Sequence, residues 1–201
     1  MSVVLYQEMG LSDTQIALYT SWLGLPWVIK PLWSPFIDTF RTKRWWILSM
    51  QLLVGAALAA VALSLPTPMW LQATLALFML VAFASSTHDI SADGFYILGL
   101  SNVDQEFYVG VRNTFYRVGL VLGQGGLVAL AGLLQHSGMH VSVAWSVTFL
   151  AVAALMVLLY MWHVRALPVV EQPAPSISRK DILSDFLQTF YVFFRKPHII
   201  T

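Results

Sequence analysis

His88, Asp89 and Asp93 follow directly on a long apolar run, within Ser85-Ser86-Thr87-His88-Asp89-Ile90-Ser91-Ala92-Asp93-Gly94-Phe95-Tyr96. Two aspartates four residues apart stack on one face of a helix. Such a pair can share a cation or hold a proton. His88 and Asp89 point about 100° apart on a helix, so they do not make one site by themselves. Positions three and four beyond His88 are Ser91 and Ala92, so no zinc ligand set forms and no metal is expected. The run from Trp70 to Ala84 leads into this stretch without a proline, and one helix carries these groups out of an apolar environment. An ionisable group inside a membrane span is costly and marks function by default.

Composition makes that environment a lipid one. Of 201 residues, 58% are hydrophobic and only 10% charged, and the mean hydropathy is +0.70. A soluble domain carries roughly 25% charged residues. A chain this poor in charge cannot cover a globular surface in water. The net charge of +1 gives no overall attraction for nucleic acid, and the absence of cysteine excludes disulfides and thiol chemistry. The first residues lack a basic stretch followed by a short apolar core, so no cleavable signal peptide is expected.

The fold class read from this pattern is an all-α polytopic membrane protein with five spans and an amphipathic helix after them. Residues 1–13 form a short periplasmic segment. The five-span bundle occupies 14–165, with spans over about 14–36, 45–65, 69–100, 108–134 and 141–163. Pro26, Pro31 and Pro35 kink the first span, which must pack against neighbours that satisfy its freed carbonyls. Gly119 and Gly123, with Gly125 and Gly126, predict a close-packing face in the fourth span. Residues 166–201 form a cytoplasmic linker and an amphipathic helix capped by Ser178. His198 to Thr201 read as the start of a further span that is missing.

Charge placement supplies the orientation. Arg41, Lys43 and Arg44 lie between the first two spans, Arg112 just past the next turn on the same side, and Arg165, Arg179, Lys180, Arg195 and Lys196 after the fifth. The turns around Pro66–Pro68 and His136–His140 have no lysine or arginine. The positive-inside rule therefore puts the chain's start in the periplasm and its end in the cytoplasm.

Depth follows from helix rise. Asp89 lies about 20 residues, or roughly 30 Å, from the outer end of its span, close to the full hydrocarbon thickness. Lys30 falls roughly 24 Å in from the outer side, and Arg117 about 12–14 Å up from the cytoplasmic end. Asp89, Asp93, Lys30 and Arg117 thus form a set of two anions and two cations in the cytoplasmic half. Two principal readings are open for it: a charge-balanced network that closes the cytoplasmic mouth, or a proton-coupling site whose protonation frees its cation partner. Asp38, with Arg41, Lys43 and Arg44, reads as a cytoplasmic loop gate, and the same cations supply the positive-inside signal. Gln124, Trp22, Tyr116 and His88 are candidate cargo contacts. Gln124 could equally bond a neighbouring helix, and tryptophans near span ends also serve as headgroup anchors.

Several of these stretches share a resemblance. Ser34-Pro35-Phe36-Ile37-Asp38 followed by Arg41, Lys43 and Arg44 resembles the loop joining the second and third helices of major facilitator transporters, with Ser34 where that motif has glycine. Gly24 to Pro35, Thr87 to Gly94 and Tyr116-Arg117-Val118-Gly119 are together similar to the AmpG-type muropeptide permeases and the related acetyl-CoA transporter branch. The resemblance implies helices two to six of an N-terminal half, with the C-terminal half of the same transporter missing. It further implies proton-coupled import of anhydro-muropeptides across the bacterial inner membrane, with lipid, a small organic solute and protons as partners and no cofactor. Another organic solute of the same superfamily is the alternative cargo. From other classes, an intramembrane aspartate-dependent enzyme and a non-transporting membrane scaffold stand as alternatives, and the placement of the two aspartates argues against catalysis.

Overall fold

A computed structural model describes residues 1–170, apart from the side chains of Asp38 and Thr39. Every regular element among them is helical. The chain begins with α1 (Ser2–Glu8) and α2 (Asp13–Ser21), whose first turn is closed by a reciprocal cap between Ser12 and Gln15. From there the expected first span is helical but broken. A 3₁₀ turn at Trp22–Gly24 leads to α3 (Leu25–Val28), a second at Lys30–Leu32 leads to α4 (Ser34–Phe40). The prolines set these boundaries. Pro26, Pro31 and Pro35 each occupy the first turn of their piece, where a missing N–H costs nothing.

Among the described residues, four helices are long and apolar enough to cross a membrane. They are α5 (Lys43–Ser64), α6 (Trp70–Gly99), the continuous rod of α7 (Asn102–Val121), a π turn (Leu122–Gly126) and α8 (Leu127–His136), and α9 (Val141–Ala166). The broken first stretch, 14–36, is not among them. The rod begins six residues before the expected Tyr108, because the Ser101 hydroxyl accepts from the Asp104 amide and starts the helix at Asn102. The linker end beyond 170 and the amphipathic helix expected from Ser178 lie outside the described residues.

α5 packs between α6 and α9, and the pieces from Trp22 to Phe40 run along α6. Gly55 permits the close α5–α9 approach, since a Cβ there would stand 3.1 Å from Met156 Cβ. The hydrophobic core gathers at the end away from Lys43, where Leu5, Tyr6, Val61, Phe78, Trp145 and Phe149 are buried. The Tyr6 hydroxyl lies 3.1 Å from Thr74 Oγ1, and its ring meets Phe78 edge-on. Glu8 accepts from Trp145 Nε1 at 2.8 Å and from Gln135 Nε2 at 2.7 Å. Residues 1–13, set apart from the bundle on sequence, thus supply part of its core.

Candidate functional site: a four-charge cluster

The broken first stretch brings a lysine to α6. Lys30 opens the second 3₁₀ turn, and its ammonium pairs with Asp89 and lies 4.0 Å from Asp93 Oδ2. From the other side, Arg112 of α7 pairs with Asp93 and lies 3.7 Å from Asp89 Oδ1. Each carboxylate therefore faces both cations, and the four formal charges sum to zero. Two like charges at i and i+4 repel when alone. Here each sits between opposite charges, which reverses the sign of the interaction.

Partial solvent contact decides what the cluster can do. The side chains of Lys30, Asp89, Asp93 and Arg112 retain 24%, 32%, 40% and 48% of their exposure. They are not sealed inside the bundle, so the full desolvation penalty of a buried ion pair does not apply to them. Protonating one aspartate would leave two cations against one anion and weaken the bond that joins α6 to α7 or to the Lys30 turn. The same contact is reinforced nearby: Tyr96 donates to the Gln105 carbonyl, Gln105 Nε2 donates to Leu100 O at 3.0 Å, and the Arg112 guanidinium lies 5.8 Å from the Tyr96 ring centroid.

The expected site residues separate. Lys30, Asp89 and Asp93 come together. Arg117 does not join them: it is exposed on α7, with Arg112 in the place it was expected to fill. The reason is register. Asp93 lies about 9 Å along α6 from its end at Gly99, and Arg112 about 15 Å along α7 from Asn102, against about 22 Å for Arg117. A guanidinium spans the first mismatch and not the second.

The basic loop residues also divide. Arg44 donates to Leu167 O at 3.0 Å and to Val164 O at 2.6 Å, satisfying carbonyls at the end of α9. Lys43 is buried at 7% exposure, its chain running past Gly94, and Arg41 stacks over Trp45. The side chain of Asp38 lies outside the described residues. Among the candidate cargo contacts, His88 is half-buried, while Trp22, Tyr116 and Gln124 are exposed, Gln124 within the π turn. A Cβ at Gly119, Gly123 or Gly125 would meet nothing within 4 Å, so the expected close-packing face has no partner among the described residues. A part-buried polar contact not foreseen joins His163 Nδ1 of α9 to Gln51 Oε1 of α5, at 2.9 Å.

The described residues thus form a helical membrane bundle with a cluster of two anions and two cations near one end. The chain belongs to the BT1 family, whose sequence model matches residues 1–106, a span that includes Lys30, Asp89 and Asp93. It is 26% identical to the putative transporter AmpG 4 of Rickettsia conorii over 94% of this chain and 47% of the relative. It is 29% identical to the anhydromuropeptide permease of Escherichia coli K12 over 59% of this chain and 25% of that protein. The chain thus spans about half the length of the first of these relatives, and less of the second. No solved structure matches it. Family and relatives point to a transporter and not to an enzyme.

Proposed function

We propose that this chain forms the greater part of one half-bundle of a proton-coupled importer of cell-wall-derived anhydro-muropeptides in the bacterial inner membrane. The observation that carries the reading is the sharing of Asp89 and Asp93 between Lys30 and Arg112. One wet cluster joins the broken first stretch, α6 and α7 near the end that bears the basic loop residues, which the positive-inside rule makes cytoplasmic. With both aspartates charged the cluster closes that mouth. A proton on either one releases a cation and lets the helices part. The names of the relatives support the cargo, and their greater length supports a second half that completes the transporter around the cargo.

Access from the cytoplasmic side tests the gate. The chain contains no cysteine, so a Ser91→Cys variant gives a single reporter on α6, between Asp89 and Asp93 along the helix and on its opposite face. Ser91 is buried and its hydroxyl donates to Thr87 O. In inside-out vesicles a membrane-impermeant thiol reagent should label it slowly at neutral pH, and about five times faster once Asp89→Asn is added. Labelling that ignores Asp89→Asn, Asp93→Asn and Arg112→Gln alike would remove the gate.

A further inference from the structure

The bond between His163 and Gln51 sits in an otherwise apolar seam. Ile47, Gln51, Gly55, Leu58 and Ala62 recur at helical spacing on α5, and all five are buried. Gln51, at 5% exposure, is the polar member of that row, and its oxygen faces His163 Nδ1 across the α5–α9 interface. An amide oxygen accepts and does not donate, so Nδ1 carries a hydrogen and gives it to Gln51. The other ring nitrogen, Nε2, has no hydrogen-bond partner among the described residues and is the atom left to take up a proton.

A second imidazole reaches the same level from α6. Lys43 of α5 passes Gly94 of α6, so the eight residues from Lys43 to Gln51, about 12 Å, lead back along α6 toward His88. His88 and Gly94 lie about 60° to either side of the buried Ser91. His88 is half-buried and interacts electrostatically with His163 and with Asp89. The other ionisable groups on the helices that meet here are engaged or distant. On α5, Arg44 is bonded to the α9 carbonyls and Lys43 runs against Gly94. On α6, Asp89 and Asp93 are shared by Lys30 and Arg112, and Tyr96 donates to the Gln105 carbonyl. On α9, Arg165 donates back to Met161 O at 3.4 Å, and Tyr160 lies nearly one turn before His163. α8, which also packs on α9, carries His136 at its far end.

We propose that His163 and His88 form a second proton site, which takes up one proton near neutral pH and with it tightens α9 onto α5. Imidazole is the side chain whose ordinary titration falls between about pH 5 and 8. A proton on His163 Nε2 makes the ring a cation, and its bond to Gln51 becomes charge-assisted and stronger. Two like charges in one seam repel, so the rings titrate as a coupled pair. Leu167 N donates to His163 O at 3.0 Å, and Arg44 holds Leu167 O, so the tightened contact steadies the last turn of α9. A proton here strengthens a hydrogen bond, whereas a proton on the four-charge cluster weakens an ion pair. The site therefore stands whether or not the transport reading does.

Histidine isotope-labelled at Cε1, in the whole chain in micelles, tests it by nuclear magnetic resonance, with each signal assigned by its His→Gln variant. His88 and His163 should both titrate between about pH 5 and 8, each over a wider range than a single-proton curve. His163→Gln should narrow the His88 curve and move its midpoint, His88→Gln should do the same to His163, and His136 and His140 should not respond. Amide exchange at Leu167, corrected for its intrinsic pH dependence, should be about fivefold slower at about pH 5.5 than at about pH 8. Gln51→Leu should abolish that difference, as should His163→Gln, a neutral variant that still bonds an amide. Asp89→Asn should move the His88 midpoint and leave the difference at Leu167 in place. Independent single-proton curves, a His163 that stays neutral throughout, or equal exchange at the two pH values would each overturn the site. A difference that persists in His163→Gln or disappears in Asp89→Asn would also overturn it, by assigning the response to the four-charge cluster.

Discussion

Asp93→Asn and Arg112→Gln form the most informative pair of substitutions, because each alone unbalances the cluster and together they restore it. Wild type holds two anions and two cations. Asp93→Asn leaves two cations on Asp89, and Arg112→Gln leaves two carboxylates four residues apart with Lys30 alone between them. The double variant keeps Lys30 and Asp89 as a neutral pair. Exposed ion pairs contribute roughly 0.2–1 kcal/mol, and side chains that are one quarter to one half exposed belong near the top of that range. Each single variant should therefore lose about 1 kcal/mol or somewhat more, since it strands a charge as well as breaking a bond. The double variant should lose about 1 kcal/mol less than the sum of the two. Unfolding in mixed micelles, titrated with denaturing detergent and followed by tryptophan fluorescence, measures all four corners of the cycle. Losses that add within about 0.3 kcal/mol would show that the two residues do not interact, and the shared-cation account would fail.

Two other perturbations reach different parts of the bundle. A Cβ at position 94 would stand 2.7 Å from Lys43 Cε and 3.2 Å from its Cδ, so Gly94→Ala must displace a buried lysine chain. It should cost about 1 kcal/mol in the same titration, with Gly94→Val costing more. At the opposite end, Glu8→Ala removes the acceptor of two side-chain donors. It should cost about 1–2 kcal/mol and shift the emission of Trp145, whereas Glu8→Gln, which keeps an acceptor oxygen, should lose about half as much.

Much of the site was readable from residue spacing. Asp89 and Asp93 share a face because they are four apart, and helix rise brought Lys30 to their depth before any contact was known. The same arithmetic misassigned the second cation, because it started the fourth helix at Tyr108. Ser101 caps that helix six residues earlier, which carries Arg112 to the level of Asp93 and Arg117 well beyond it. A serine three residues before an aspartate was the available signal. The three prolines announced a distorted first stretch, yet pattern alone does not tell a kinked span from three short pieces joined by 3₁₀ turns. The burial of Leu5 and Tyr6 had no local signal, since seven helical residues of mixed character acquire a core only from Phe78, Trp145 and their neighbours. Arg44 likewise reads as a loop charge until the end of α9, more than a hundred positions away, comes within reach of its guanidinium.

The central claim is that protons act on this cluster to drive solute across the membrane. Its most direct measurement is uptake of radiolabelled anhydro-muropeptide into vesicles carrying the assembled transporter, with and without an inward proton gradient. The account predicts accumulation that follows the gradient in wild type and becomes independent of it in the Asp89→Asn, Asp93→Asn double variant. Accumulation that ignores the gradient in wild type, or that remains fully coupled when both aspartates are neutral, would contradict it.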